Sequence, residues 1–144
     1  MLEHPAIRAA RTYLGTPYCH QASLRGVGCD CLGLLRGVWR DLYGSDPEQP
    51  GAYDASRFRA GGRETLLEAA ERHLIKRDGL AFNPGDVLLF RLHPARPVQH
   101  CGIAIARDTM IHAHDGACVC EVPLESWMRR LAYVFAFPEM DDAP

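Results

Sequence analysis

The chain has 144 residues, enough for one compact domain with its own hydrophobic core but too few for two large domains. Hydrophobic residues make up 47% and charged residues 24% of the sequence, a balance that excludes collagen-like, coiled-coil and disordered chains. The 16 basic and 18 acidic residues leave a formal charge of -2, which lacks the basic excess of a nucleic-acid-binding protein. We therefore predict a single domain over residues 1–144 that does not bind nucleic acid.

The N-terminal segment differs from an export signal. His4, Arg8 and Arg11 interrupt the stretch where a secretory signal peptide needs an apolar run. No apolar run of about 18 residues follows, so we expect no membrane span. The prediction is a protein synthesised in the cytoplasm without a signal peptide.

Apolar residues at helical spacing predict three helices in the first half of the chain. The first covers residues 3–14 and the third about residues 63–76. The second has the clearest bounds, because Asp30 is a natural N-cap and Gly44 a natural C-terminal stop. Residues 45–60, which carry proline and glycine, are predicted to form a loop.

The second half of the chain changes to β-rich runs after the turn at residues 83–86. The predicted strands are Val87–Arg91, Gln99–Ala106, Thr109–His114, Ala117–Val122 and Leu131–Phe137. Helices followed by consecutive strands with short turns predict an α+β domain. In such a domain N-terminal helices pack on one face of a C-terminal antiparallel β-sheet.

Cys31 lies in the first turn of the second helix, directly after its cap. The unpaired amide N–H groups and the positive end of the helix dipole favour a thiolate there, as a nucleophile requires. Gly33 and Gly37 each cost the helix about 1 kcal/mol relative to alanine, which indicates close packing. We expect this bare helix face to approach the sheet and to bring Cys31 close to the strands. Position alone leaves open a small buried cysteine without chemistry, the commoner case.

Three histidines on two predicted strands are candidate partners for a thiolate, which needs a base and an orienting group for that base. His100 opens one strand, and His112 and His114 lie on the next. Because side chains alternate along a strand, they share a face if a three- or five-residue loop joins the strands. In the five-residue register His112 lies diagonal to His100 and His114 lies directly opposite, so either could orient it.

Five short motifs occur in the order and spacing of the NlpC/P60 cysteine peptidases. They are GTPY at 15–18, DCLGL at 30–34, PGDVLLF at 84–90, HCGI at 100–103 and IHA at 111–113. The chain therefore resembles this family over nearly its whole length. Residues 18–43 are similar to its phage-type branch, which occurs in tail modules and gene transfer agents.

The resemblance implies a papain-like NlpC/P60 fold and hydrolysis of peptidoglycan stem peptides. The bond cleaved in the family is typically that between D-γ-glutamate and a diamino acid, and no cofactor is expected. The implied partners are a peptidoglycan stem peptide as substrate and, for the phage-type branch, phage-like tail proteins. Such an enzyme is associated with a virion or tail, or is released on lysis.

The resemblance also implies roles for individual residues. Cys31 matches the nucleophile, His100 the general base, and His112 the third polar residue that orients the base. Tyr18 matches a tyrosine beside the active site that contacts substrate or helps to hold the oxyanion. Asp30 matches an aspartate that in some members faces the free amine of the stem peptide.

Two positions depart from the family pattern. Leu32 stands where the family usually has serine after the nucleophile, which removes a hydroxyl that could contact substrate. Cys101 replaces a small apolar residue after the base histidine, a change that side-chain volume tolerates.

The cysteines permit two further interpretations. They lie at positions 19, 29, 31, 101, 118 and 120. Without a secretory context their even number does not predict a disulfide framework, so we expect mostly reduced thiols. Two C-x-C pairs, beginning at Cys29 and Cys118, could join the histidines at zinc, but structural zinc sites usually have two to four residues between the cysteines. No metal is therefore expected.

Two functions other than peptidase activity also fit the chain. One is a catalytically inactive structural component of a phage-like tail tip. The intact set of Cys31, His100 and His112 favours the enzyme, because an inactive copy is free to lose these residues. The other is acyl transfer or lipid-amide chemistry, which needs an apolar groove or membrane-binding segment that the sequence does not show.

Overall fold

A computed structural model describes residues 3–47 and 64–139. The helices are α1 at Pro5–Arg11, α2 at Cys31–Tyr43 and α3 at Thr65–His73. A short hairpin, β1 at Ser23–Leu24 and β2 at Gly28–Cys29, lies between the first two helices. The other strands are β3 at Ile75–Lys76, β4 at Val87–Phe90, β5 at His100–Ala106, β6 at Thr109–Ala113, β7 at Val119–Pro123 and β8 at Leu131–Ala136.

Strands β3 to β8 form one antiparallel sheet in the order β3-β8-β4-β5-β6-β7. All five strands predicted from the β-rich runs are present, with ends that differ by at most two residues. The α+β class is therefore confirmed. None of the helices within the described residues is long and apolar enough to cross a membrane.

Helix α2 has the predicted bounds because its two ends carry the expected caps. The Asp30 carboxylate accepts a hydrogen bond from the Gly33 N–H at 2.7 Å. At the other end Gly44 adopts a left-handed conformation with φ 91°, which a residue with a Cβ adopts at a cost. Its N–H donates to the Arg40 carbonyl at 2.8 Å and closes the helix.

Helix α1 is shorter than the predicted span of residues 3–14. It begins at Pro5 because His4 is the N-cap, and the His4 Nδ1 atom accepts from the Ala6 N–H at 3.0 Å. It ends at Arg11, and the chain then turns through Gly15 with φ 86°. The helical spacing of apolar residues continues through this turn, so the periodicity alone overestimated the length of the helix.

Helix α3 also ends earlier than the predicted residue 76. Leu74 is extended, and the following strand β3 pairs with β8, with Ile75 opposite Ala136. This edge pairing was not predicted, because two residues carry no strand periodicity. Residue 63, the expected first residue of this helix, and residues 48–60 of the expected loop lie outside the described residues.

The sheet has a core on each face. The helices cover one face, and the buried sheet residues there include Leu89, Cys101, Ile103, Ile111 and Phe135. The other face carries Leu88, Phe90, Ala104, Met110 and Val134, covered by Leu124 and Trp127. The helices therefore lie on one face, as predicted, while the covering segment on the opposite face had no predicted structure.

Candidate active site

The register between β5 and β6 brings His100 and His112 together. Ile103 pairs with Ile111 and Ala104 with Met110, the register that a five-residue loop would produce. Closer to the turn the register shifts at a bulge, so that Ala106 pairs with Thr109 and the loop itself is shorter. The His100 Nε2 and His112 Nδ1 atoms are 2.8 Å apart. Of the registers left open by the sequence, the structure has the one in which His112 lies diagonal to His100, and the histidine that contacts His100 is His112. The His114 ring is exposed and lies against His112, with centroids 5.5 Å apart.

Cys31, the first residue of α2, places its sulfur beside these histidines and remains partly exposed. Its Sγ is 3.9 Å from the Gln99 carbonyl oxygen, next to His100 in the chain. The pKa of the Cys31 thiol lies below its usual value, chiefly because of a hydrogen bond with the Cys101 thiol. Burial alone would raise this pKa, but a hydrogen bond with His100 and the positive charge of its imidazolium lower it further. The helix head thus carries a sulfur that readily becomes a thiolate.

His112 is buried and stays neutral. Burial, together with the nearby charges of His100 and His114, lowers the pKa of His112 to about 3. A neutral His112 can accept the proton of His100 Nε2–H on its Nδ1 atom, so its own proton then resides on Nε2. That Nε2 atom is buried and has no hydrogen-bond partner among the described residues. This arrangement leaves His100 Nδ1 to interact with the Cys31 sulfur.

Cys101 is a member of the site that sequence reasoning missed. It is buried on the helix-covered face, and its Sγ lies 3.3 Å from the Cys31 carbonyl oxygen. The pKa of Cys101 is raised well above its usual value, first because it donates to Cys31 and second because it is buried. It therefore stays a thiol, whose single proton can turn to the Cys31 carbonyl oxygen or to the Cys31 sulfur once that sulfur is a thiolate. Its position next to His100 in the chain was the available signal, since side-chain volume alone does not indicate a hydrogen-bond donor.

Asp30 is buried, and both its carboxylate oxygens accept backbone hydrogen bonds. Oδ1 accepts from Gly33 N and Oδ2 from Gln21 N, each at 2.7 Å. Gln21 has φ 67°, a left-handed conformation uncommon for a residue with a side chain, and this hydrogen bond helps to hold it. Asp30 thus fixes the preceding loop against the head of α2. Its contact with a substrate amine stays a prediction.

Tyr18 lies beside the same helix head. Its N–H donates to the Ala117 carbonyl at 3.0 Å, and it forms a β-bridge with Cys29. Burial and the nearby negative charges of Cys31 and Asp30 raise the pKa of the Tyr18 hydroxyl. The phenol therefore remains protonated and can donate a hydrogen bond. Its contact with substrate or the oxyanion also stays a prediction.

The two helical glycines pack closely, but their neighbours differ from the predicted ones. A Cβ at Gly33 would collide with the Ala22 carbonyl oxygen, in the loop that leads into β1. A Cβ at Gly37 would collide with the Tyr13 hydroxyl. The expected approach of the bare glycine face to the sheet is therefore wrong. Helix α2 instead contacts the sheet through residues such as Leu34 and Val38.

All six cysteines lie within the described residues and are free thiols. The zinc alternative needs a group of three or more ligating side chains. Across residues 3–47 and 64–139, no such group of histidine, cysteine, aspartate and glutamate occurs.

The comparisons with known proteins agree with this architecture. The sequence model of the NlpC/P60 family matches residues 15–135. The structure is similar to the NlpC/P60 domain of the peptidoglycan hydrolase SagA, with 21% identity and a TM-score of 0.67, over 92% of this chain and 97% of that one.

Two longer proteins are also similar in structure. NlpC2 from Trichomonas vaginalis is 22% identical with a TM-score of 0.66, and the match covers 95% of this chain but 48% of that one. The peptidoglycan hydrolase RipB from Mycobacterium tuberculosis is 18% identical with a TM-score of 0.63, covering 93% and 63%. No curated protein sequence matches significantly. At these identities the likeness shows the NlpC/P60 fold.

Proposed function

The chain belongs to the NlpC/P60 family, and on this premise we propose that it is a cysteine peptidase that hydrolyses peptidoglycan stem peptides. The observation that carries the proposal is the 2.8 Å contact between His100 and His112 beside a Cys31 thiol of lowered pKa. A nucleophile, a base and an orienting group in one hydrogen-bonded chain are what covalent amide hydrolysis requires.

In the proposed mechanism the Cys31 thiolate attacks the carbonyl carbon of the scissile amide and forms a C–S bond. Backbone N–H groups in the first turn of α2 lack intrahelical acceptors, and the N–H of Cys31 can therefore stabilise the oxyanion. His100 then protonates the leaving amine as the C–N bond breaks. A water molecule then loses a proton to His100 and attacks the acyl carbon. As the C–S bond breaks, the carboxylic acid leaves and the Cys31 thiolate and His100 imidazolium are restored.

His112 supports this cycle because it stays neutral near physiological pH. It can accept the Nε2–H of the His100 imidazolium without becoming charged itself. The contact fixes the ring of His100 while its other nitrogen exchanges a proton with sulfur, water or the leaving amine.

For the substrate we propose the D-γ-glutamyl–diamino acid bond. The protonated Tyr18 hydroxyl would donate to the substrate or the oxyanion. Asp30, with both oxygens engaged by backbone, would attract a substrate amine through its charge at the helix head. Leu32, partly exposed next to the nucleophile, offers an apolar contact where the family has a hydroxyl.

The test is digestion of a defined stem tetrapeptide, L-alanyl-γ-D-glutamyl-diaminopimelyl-D-alanine, with mass spectrometry of the products. We expect L-alanyl-γ-D-glutamate and diaminopimelyl-D-alanine. Cys31→Ala should abolish both products, and the exposed-thiol control Cys19→Ala should retain them. Unchanged turnover by Cys31→Ala, or a folded wild-type chain that cleaves no stem peptide, contradicts the proposal. The second result is the one expected of an inactive structural component.

We further propose that the protein acts from a phage-like tail, or on release at lysis. The support is the similarity of residues 18–43 to the phage-type branch of the family. Mass spectrometry of phage-like particles purified from the host should detect the chain at a fixed ratio to tail proteins. Detection only in the cell-free supernatant would leave release at lysis as its route and exclude the tail association.

A further inference from the structure

We propose that Trp127 is a positioning residue that stacks on His100 and covers its hydrogen bond to His112. The inference rests on the proposed function, since it assigns a role within that catalytic pair. It concerns a residue in the segment between β7 and β8, which carries no recognisable motif.

The ring geometry is the first observation. The Trp127 ring stacks on the His100 ring with centroids 5.0 Å apart and planes inclined by only 24°. The same indole meets His112 nearly edge-on, at 5.2 Å and 75°. Phe90 adjoins both Trp127 and His100, at 5.2 and 6.1 Å. One indole therefore contacts both rings of the hydrogen-bonded pair.

The backbone holds the indole in this place. Leu124 is buried, and its N–H donates to the Asp108 carbonyl at 2.8 Å, which ties the segment to the β5–β6 turn. The Trp127 N–H donates to the Leu124 carbonyl at 2.8 Å. A 3-10 helix at Met128–Arg130 follows and leads directly into β8. The segment is thus fixed at both ends, with Trp127 directed back onto the sheet.

Three physical effects follow from this contact. The indole excludes water from one side of the His100–His112 hydrogen bond, which strengthens that bond. The negative face of the ring attracts a cation and so favours the imidazolium form of His100. The stack also restricts rotation of the His100 ring, which keeps one nitrogen towards Cys31. Together these effects favour the imidazolium–thiolate pair.

Several other titratable groups lie near His100 and bear on the design of a pH experiment. Cys31 faces it from α2, His112 from β6, Cys101 adjoins it on β5, and His114 lies beyond His112. Phe90 on β4 and Trp127 carry no titrating group near neutral pH. Because burial and the neighbouring histidines lower the pKa of His112 to about 3, His112 stays neutral across the pH range of the experiment and adds no positive charge beside Trp127.

Fluorescence tests the stack without any assay of turnover. The chain has two tryptophans, so Trp39→Phe leaves Trp127 as the only tryptophan, whose emission can be excited selectively at wavelengths that tyrosine does not absorb. Since a stacked imidazolium quenches indole emission, we expect emission to fall as the pH is lowered from 9 to 5. His100→Ala in the same background should abolish the titration, and His114→Ala should retain it. A titration that survives His100→Ala, or that is absent in Trp39→Phe, overturns the stack.

Kinetics test the positioning role. Trp127→Ala should lower kcat for the stem tetrapeptide by about tenfold, with KM little changed, because a cation–π contact of this size is lost. Trp127→Phe should restore most of the rate, since it also presents an aromatic face. The core variant Trp39→Phe serves as the matched control. Full kcat in a folded Trp127→Ala, or a Trp127→Phe variant as slow as Trp127→Ala, overturns the role.

Alkylation separates a failure of this inference from a failure of the proposed function. Trp127→Ala should slow the reaction of Cys31 with iodoacetamide at pH 6 by about tenfold, because less of the thiolate–imidazolium pair forms. Trp127→Phe should react at nearly the wild-type rate. If the wild type cleaves no stem peptide but shows these differences, the peptidase proposal fails and the positioning role stands. Equal alkylation of Trp127→Ala and the wild type overturns the positioning role.

Discussion

On the helix-covered face of the sheet, the site residues are positioned by neighbours that lie close to them in the chain. On the opposite face, the site residues come from segments that are far apart in the chain. Cys31, Asp30 and Gly33 form a helix start that any structure containing α2 would contain. On the other face, His100 meets His112 only through strand register, and Trp127 arrives from a separate segment. Strand β5 joins the two faces, because His100 and Cys101 are adjacent and point to opposite sides.

The proposed nucleophile, Cys31, and the proposed base, His100, depend on different kinds of structure. The lowered pKa of Cys31 has its first cause in the Cys101 thiol and a further cause in His100, and the helix terminus also favours a thiolate. The base owes its orientation to the β5–β6 register and to the ring that covers it. Damage to the two faces should therefore differ in its effects on activity and stability, whereas the reactivity of the Cys31 thiol should respond to both.

The largest expected effect is loss of the base on the register-dependent face. His100→Ala should lower kcat by about a thousandfold, within the range typical of general acid–base residues. Its effect on the free energy of unfolding should be small, since His100 is partly exposed. Stem-peptide hydrolysis and a denaturant melt measure the two quantities. A rate within tenfold of the wild type would show that another group acts as the base.

A somewhat smaller effect should follow from crowding the helix face. Gly33→Ala forces a Cβ against the Ala22 carbonyl oxygen and should lower the free energy of unfolding by about 3 kcal/mol, the upper end for an overpacked site. Gly26→Ala is the matched control for local packing, because nothing lies within 4 Å of its Cβ and the remaining cost is that of its positive φ. Equal stability of the two variants would contradict the close approach of the loop to α2.

Third in size is the loss of the orienting histidine. His112→Ala should lower kcat by about a hundredfold, since His100 loses its acceptor, and His112→Asn should recover part of this loss through its amide oxygen. His114→Ala should change kcat by less than about threefold, because that exposed ring contacts only His112 within the pair. The reverse order of the two alanine variants would identify His114 as the orienting residue.

The smallest effect concerns Cys101 and the pH at which the thiolate forms. A lowered pKa means that the wild-type Cys31 is alkylated fast at pH values below the ordinary cysteine pKa of about 8.5. Removing the donor in Cys101→Ala raises the pKa of Cys31, so the midpoint of the alkylation rate should move to higher pH by about one unit. Cys101→Ser keeps a donor and should move it less. An unchanged midpoint in Cys101→Ala would remove Cys101 from the site.

Much of the site could be anticipated because its signals are local. The Asp30 cap, the Gly44 stop and the position of Cys31 depend on residues within one helix. The shared face of His100 and His112 follows from the two-residue period of a strand together with a short hairpin loop. The family motifs contain the same residues at the same spacing, and they therefore indicate the same candidate site as the local patterns do.

The errors arose where an element depends on neighbours far along the chain. Helix α3 gave way to β3 because residues 75–76 pair with β8, sixty residues later. The residue packed against Gly37 is Tyr13, in the turn after α1, and the hydrogen bond from the Cys101 thiol to the Cys31 carbonyl spans 70 positions. Periodicity within a window contains no information about such contacts.

The sequence by itself therefore determined the class of the fold, the helix head that activates a cysteine, and the strand parity that lets two histidines meet. Those features follow from caps, periods and turns whose range is a few residues. Only the tertiary structure decided that His112 rather than His114 contacts His100, that the Cys101 thiol lies against Cys31, and that Trp127 stacks on His100. Each of these depends on which distant segments pack together, and close packing selects among alternatives that local patterns leave equal.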